Sequence, residues 1–346
     1  DNMAFISFQP KDKFKTLLYN GNGSTQNITG VGFKPDLTWI KNRNSSAHDH
    51  FLFDANRGVQ KRLQSNTTAA EATVSGLTAF NTDGFSLGSS DGMNENSIKF
   101  VAWNWKASPT SSSNNDGSVA STVCVDATAG CSIVKYTNPG SGSPFTVGHG
   151  LGAAPEFIII KNLTSAQTWG VWHKSIGFGK YVRLDSTAAQ ASANLVTATS
   201  STTFSTYYDH HSAGNELIAY CFAPKRGFSK FGQYGGKNST WGAYVPTGFQ
   251  PAFILTKRYD STSWWALHDH MRDGDEYNGG GRDDALFANT SDNESETSNY
   301  LNIMSNGFKL RTNNGNIGGA NGDDFFYAAF ARFPFVSSTG IPGTAR

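Results

Sequence analysis

The sequence predicts an all-β protein made of three tandem β-sandwich repeats of jelly-roll or lectin-like type. Three observations carry this expectation. Gly (37) and Phe (25) are abundant in the 346 residues, and Ser, Thr and Asn fill the spaces between short apolar runs. That is the pattern of many short strands joined by turns, with few stretches suited to helix. One phrase occurs three times, as "GFKPDLTWIKNR" (Gly32 to Arg43), "GAAPEFIIIKNL" (Gly152 to Leu163) and "GFQPAFILTKRY" (Gly248 to Tyr259). Other phrases recur around it in a constant order, which is the signature of an internal repeat.

Each unit begins with a strand carrying a tyrosine: Tyr19 in "TLLYNG", Tyr136 in "IVKYTN" and Tyr234 in "KFGQYGG". The prolines Pro35, Pro155 and Pro251 follow. Proline cannot donate to a ladder, so it marks the entry of a strand. "DLTWIKN" then alternates, with Leu37, Trp39 and Lys41 on one face and Thr38 and Ile40 on the other. "EFIIIKN" is apolar on both faces, as a strand buried within a sandwich requires. Further on come Phe85, Phe204 and Phe308, each in a turn-to-strand phrase such as "NTDGFSL". An apolar strand closes each unit ("FVAWNWKA", "LIAYCFAP", "FYAAFARF"), with Trp105, Phe222 and Phe330 as matching aromatics.

The repeats are placed at 14–107, 132–225 and 226–335, each the usual size of one sandwich. Residues 1–13 form an arm and 336–346 a tail. Residues 108–131, opening with "SPTSSSNNDGSVAST", are small and polar and read as a flexible linker. Repeats two and three join through "APKRGFSKF" without a spacer, which predicts a fixed contact between them.

Charge is light and balanced, with 28 basic and 27 acidic residues, so a concentrated basic face for nucleic acid is not expected. No apolar run approaches the ~20 residues that span a bilayer, so no membrane insertion is expected. The opening Asp1-Asn2-Met3 has neither the basic start nor the apolar core of a secretory leader, and its missing initiator Met suggests a processed or truncated start, or further residues upstream.

The phrases "YNGNGSTQNITGVGFKPDLTWIKNR", "SNTTAAEATVSGLTAFNTDGFSLGS", "AGCSIVKYTNPGSGSPFTVGHGLGAAPEFIIIKN" and "YAAFARFPFVSSTGIPGTAR" resemble a repeat family of virion structural and tail-fibre proteins from tailed bacteriophages of aquatic hosts. The resemblance runs from about Phe8 to Arg346, and its closing phrase is the most specific part. It implies a β-rich virion component, exposed on the tail or capsid surface, in contact with other virion proteins. It brings no catalytic motif. Cys124 and Cys131 stand where small or aromatic residues are expected, which argues against a special role for them.

The residues themselves offer few constellations. Cys221 lies in an apolar run and reads as a buried thiol, whereas Cys124 and Cys131 flank a loop that leaves a disulfide open. His48-Asp49-His50 and His268-Asp269-His270 each bring two imidazoles to one strand face, but zinc needs three or four ligands. No metal or cofactor is expected. Asp273, Asp275, Glu276, Asp283 and Asp284 lie in a glycine-rich stretch that reads as an exposed loop of repeat three. No G-x-S-x-G, P-loop or paired C-x-x-C motif appears.

The candidate ligand-binding residues are Trp264, Trp265, Trp169 and Trp172, since flat aromatic faces beside polar groups suit sugars. Neighbours on a strand point to opposite faces, so one of Trp264 and Trp265 is expected in the core. The function expected is a non-enzymatic virion protein, a tail fibre or surface component that binds host surface glycans or an outer-membrane component weakly and multivalently. A homotrimer is the favoured assembly. The competing roles are a capsid decoration or tail-structural subunit, and a polysaccharide depolymerase.

Overall fold

The protein's structure is a computed structural model that describes residues 6–45, 48–207, 211–272, 285–294 and 300–334. The expected tail and the acidic stretch 273–284 lie outside the described residues. The chain is all-β, in three groups of strands. The first comprises β1 (Phe14–Asn20), β2 (Gln26–Thr29), β3 (Leu37–Asn42), β4 (Phe51–Asp54), β5 (Gly58–Gln64), β6 (Ala72–Thr73), β7 (Leu77–Asn81), β8 (Gly84–Leu87) and β9 (Lys99–Trp105). Its large sheet runs β1-β9-β3-β4-β5-β6 and its small sheet β2-β8-β7, with antiparallel pairing throughout.

The second group comprises β10 (Ser112–Asn114), β11 (Ser121–Asp126), β12 (Cys131–Thr137), β13 (Phe145–Gly148), β14 (Phe157–Asn162), β15 (Gly170–His173), β16 (Lys180–Arg183), β17 (Ala191–Ser192), β18 (Ala198–Thr199), β19 (Thr203–Thr206) and β20 (Glu216–Phe222). Its sheets run β10-β11-β12-β20-β14-β15-β16-β17 and β13-β19-β18. The third comprises β21 (Ser229–Gly235), β22 (Tyr244–Pro246), β23 (Phe249–Arg258), β24 (Trp265–Asp269), β25 (Leu286–Phe287), β26 (Leu301–Met304), β27 (Gly307–Leu310) and β28 (Asp324–Pro334). Its sheets run β21-β28-β23-β24-β25 and β22-β27-β26. Setting aside β10 and β11, one strand order recurs in the groups, which we call modules one, two and three, except that β6 and β17 have no counterpart among the described residues of the third.

The recurring aromatics explain the architecture. One set holds the two sheets of each module together. Tyr19 meets Phe85 edge-on at 6.2 Å, Tyr136 meets Phe204 at 6.0 Å and Tyr234 meets Phe308 at 6.0 Å. The other set faces away from the small sheets and joins the modules. Trp105, Phe222 and Phe330 form a triangle with ring centres 6.5, 5.5 and 5.6 Å apart. Around it pack Leu37, Phe157 and Phe253, which hold matching positions on β3, β14 and β23. The resulting central space is lined by apolar and aromatic residues of all three modules.

This arrangement accounts for strands that are apolar on both faces. Every residue of β3 and of β14 is buried. Ile40 belongs to the core between the sheets of module one, while Leu37 and Trp39 belong to the core shared by the modules. A sandwich alone needs one buried face of each sheet. Here the large sheets are covered on both.

Two local expectations change. Residues 108–131 are not a free linker, because they contain β10 and β11, and β11 pairs with β12 along its length. Their polar composition follows from lying at a sheet edge: Val123 and Cys124, on opposite faces of β11, are both buried while Thr122 is exposed. Pro251 does not precede its strand but lies inside β23, where the pairing with β28 is irregular on both sides of it. A residue without an N–H fits where the ladder is already broken. The arm ends in a 3-10 turn (Pro10–Asp12), and Phe8 reaches Phe228 at the start of module three, 5.1 Å between ring centres.

The three cysteines are free and buried. Burial pushes the Cys124 thiol up to about 12 and holds Cys131 and Cys221 well above their ordinary range. The thiolate is the reactive form, so no thiol is expected to react with Ellman's reagent in the native protein, and three are expected to react in guanidinium. A melting temperature that changes on adding reductant would overturn the reading of free thiols.

Candidate functional site

A lysine stands at the same place in each copy of the recurring phrase, in a strand that is otherwise apolar. Lys41, Lys161 and Lys257 lie on β3, β14 and β23 and are 0% exposed. Lysine is rarely buried without a partner, and here the partners are carbonyl oxygens, all of them backbone except the Asn42 side-chain amide that Lys41 also reaches. Lys41 Nζ donates to the carbonyls of His48 (3.0 Å) and Ser291 (3.0 Å). Lys161 Nζ donates to Thr68 (2.8 Å) and Gln167, and Lys257 Nζ to Thr187 (2.9 Å) and Ser263 (2.5 Å). In each set one acceptor belongs to the lysine's own module and the other to a neighbour. Module one reaches module three, two reaches one, and three reaches two, so the contacts close a ring.

Backbone bonds repeat the pattern. Glu71 N–H donates to Leu163 O (3.1 Å), Gln190 N–H to Tyr259 O (2.8 Å) and Glu294 N–H to Arg43 O (2.8 Å). Burial lowers Lys41 and Lys161 to about 8 and Lys257 to about 7. An amine near neutrality can serve as a nucleophile or base. These three are closed off from solvent and aimed at carbonyl oxygens, and their geometry is that of clamps.

The predicted tryptophans divide. Trp169 and Trp265 are 0% exposed and Trp172 is 2% exposed, so these three present no face for a ligand. The indole of Trp169 donates to Gln64 O of module one (2.8 Å), and that of Trp265 to Arg183 O of module two (2.7 Å). Each lies near the ammonium of its own module's buried lysine. Trp172 donates to Gly177 O (2.9 Å) and stacks beneath Phe178. Trp264 is 39% exposed and tilts against Phe287, so the expected split between Trp264 and Trp265 is observed. No sequence signal tells a tryptophan at a module seam from one at a surface, because the acceptor carbonyl lies in a different repeat.

Two seams carry a further lock. Between modules one and two, Tyr220 donates to Asp54 (2.8 Å), and Asp54 also pairs with Arg57 (2.5 Å). Between modules three and one, the Trp103 indole donates to Asp269 (3.0 Å), which pairs with Arg272 (2.5 Å). Arg272 also reaches Glu294 (3.0 Å), and Glu294 reaches Arg43 (2.8 Å). Burial alone would raise the Asp269 carboxyl, but the Arg272 guanidinium and the Trp103 indole outweigh it and hold it below the ordinary range. At the seam of modules two and three His173 takes the aspartate's place and stacks on Phe326 at 4.4 Å.

Residues of the histidine motifs make contacts within the chain. His48 contacts Glu95 (2.9 Å), His50 accepts from the Trp39 indole (2.9 Å), and Asp269 is the lock residue just described. Among the described residues no group of three His, Cys, Asp or Glu could hold a metal. Asp323 pairs with Arg258 (2.7 Å). Asp273, Asp275, Glu276, Asp283 and Asp284 lie outside the described residues, as do Asp209 and His210. No described helix is long and apolar enough to cross a membrane.

Exposed aromatics occur where the sequence reading did not place them. Trp241 is 67% exposed and Tyr244 45%, both at the small sheet of module three. The Arg311 guanidinium lies 4.2 Å from the centre of the Trp241 ring, and Lys309 donates to Gly242 O (2.6 Å).

Fold and seams together define an all-β scaffold of three similar modules closed into a ring about a common apolar core. The chain belongs to the family described as a domain of unknown function, DUF7483, which matches residues 9–334. That single match extends across all three modules. No curated protein and no solved structure matches the chain.

Proposed function

We propose that the protein is a non-enzymatic structural component of a tailed-phage virion that presents a rigid β-surface to host glycans. One observation carries this reading. The buried lysines, the tryptophans Trp169 and Trp265, the Tyr220 and Trp103 bonds to the Arg-paired carboxylates Asp54 and Asp269, and the Arg43–Glu294 pair all join module to module. Chemistry-bearing side chains committed to internal seams suit a scaffold, and the exposed aromatics of module three supply a surface for recognition. The resemblance of the repeat phrases to virion and tail-fibre proteins supplies the setting. The partners are other virion proteins, with the chain at the tail or capsid surface. The closed ring supplies a threefold arrangement within one chain, so rigidity does not depend on a homotrimer.

Adsorption of the purified chain to cells of a phage-susceptible host, together with antibody labelling of intact particles, tests the proposal. Surface labelling and saturable adsorption are expected. Labelling without adsorption favours a decoration or tail-structural subunit, and release of reducing ends from host polysaccharide would replace the reading with a depolymerase.

A further inference from the structure

We propose that the outer face of the small sheet in module three, formed by Trp241, Tyr244, Lys309, Arg311 and Asn302, is a binding subsite for an acidic saccharide. The proposal rests on the recognition role above and gives it a place and a ligand class.

The argument comes from comparing the modules with one another. In the small sheets Ile28, Val147 and Val245 pair with Phe85, Phe204 and Phe308, which fixes the equivalent positions. The next outward row across the sheet is Asn27–Ser86–Ala79 in module one and Thr146–Ser205–Ala198 in module two. In module three the same row is Tyr244–Lys309–Asn302. The position of Arg311, three residues past the shared phenylalanine, is Gly88 in module one and Tyr207 in module two. That of Trp241 is Ser24 and Ser143. Two copies therefore build this sheet with small neutral residues in the row, so the fold does not require the aromatic and cationic set of the third.

The set has the chemistry of an acidic sugar site. Trp241 and Tyr244 offer exposed aromatic faces for the apolar side of a pyranose. Arg311 is held in place over the indole, and its planar donors match a carboxylate. Lys309 uses one donor on Gly242 O and has two more. Neither cation makes an ion pair among the described residues. Asn302 lies beside Lys309 with an amide suited to hydroxyls. Two cations that no described carboxylate pairs with favour an anionic ligand over a neutral one.

Calorimetric titration of the full chain with tetragalacturonate, and with maltotetraose as the neutral control, tests the subsite. The variants Trp241→Ser, Tyr244→Asn and Lys309→Ser carry residues that the sister modules already hold at these places, so they are expected to keep the native melting temperature. We expect tetragalacturonate to bind at least tenfold more tightly than maltotetraose, to weaken in high salt, and to weaken at least tenfold in Trp241→Ser. Phe178→Ala, which alters an exposed aromatic of module two, is expected to leave binding unchanged. No binding of tetragalacturonate, or equal binding by all three variants, overturns the subsite. Host adsorption separates the two readings: wild-type adsorption that persists in the triple variant removes this subsite alone, and absence of wild-type adsorption removes the recognition role itself.

Discussion

Arg272→Ala is expected to destabilise the protein by about 3–5 kcal/mol, the effect of removing one partner from a buried ion pair. Arg272 and Asp269 are both 0% exposed in their side chains, and Glu294 is 4% exposed. Without the guanidinium, the Asp269 carboxylate loses its cation in a site closed to water and keeps the neutral donors it has, the Trp103 indole and the backbone N–H groups of residues 271 and 272, while Glu294 keeps Arg43. The seam affected joins module three to module one, which no short stretch of chain connects. If the ring unfolds as one unit, a loss of this size lowers the melting temperature by only ~4–7 °C, because the unfolding entropy scales with length. Trp103→Phe removes a single hydrogen bond to a charged group and is expected to cost about 1.5–3 kcal/mol. Urea unfolding monitored by tryptophan fluorescence measures both. A loss below about 1 kcal/mol for Arg272→Ala would fit an exposed pair and contradict a buried lock.

Stability is expected to rise with pH from about 4.5 to about 9, giving an optimum above the usual range of ~5–8. Two sets of groups push in this direction. Burial lowers His173 and His268 to about 3 and also lowers His50, His149 and His270. These rings are neutral in the folded protein, while the unfolded chain takes up protons below about 6.5. Their contribution is complete above that value and is lost as pH falls. At pH 4.5 each of the two histidines near 3 accounts for a loss of about 2.7 kcal/mol, from ~1.4 kcal/mol per pH unit. Asp36 opposes this. Burial raises it to about 6, so the folded state binds a proton more readily than the unfolded chain between about 3.8 and 6. It offsets only part of what five histidines lose.

On the alkaline side, the lowered lysines shed protons near 7 to 8, while unfolded lysines hold theirs to about 10.5. The unfolded chain binds more protons in that window, so stability increases through it. Neutral amines still donate to the carbonyls. Above about 9 the sign reverses, because burial raises the thiols of Cys124, Cys131 and Cys221 and the phenols of Tyr136, Tyr220 and Tyr234, and the unfolded chain ionises first. Urea midpoints at pH 4.5, 7 and 9 check the trend, and Lys257→Met should flatten the rise between 7 and 9. A midpoint that peaks at pH 5–6 would contradict it.

Much of the architecture was legible because repetition exposes constraint. The recurring tyrosine, phenylalanine and closing aromatic each proved to mark a contact, two within a module and one at the centre of the ring. The seams were not legible. The lysine six places after each proline was visible, but its meaning depends on acceptors 250, 93 and 70 residues away. The same distance concealed Trp169 and Trp265, which read as sugar platforms until a neighbouring module covered them. Residues 108–131 resemble a tether in composition because β10, at the sheet edge, needs few apolar residues and the turns beside β11 are polar. Trp241 and Tyr244 are inconspicuous in the sequence for a different reason. Their departure from the pattern becomes visible only when strand register aligns them with Ser24 and Asn27 of the first module.

The crossing bond from Lys41 to Ser291 also bears on how the polypeptide comes into being. Synthesis proceeds from the amino end, and independent domains are generally able to fold in the order they emerge. Here the earliest sandwich holds an ammonium whose outer acceptor has not yet been translated. The opening third must wait for the closing third, and a nascent chain halted before Ser291 would leave that charge without its second carbonyl.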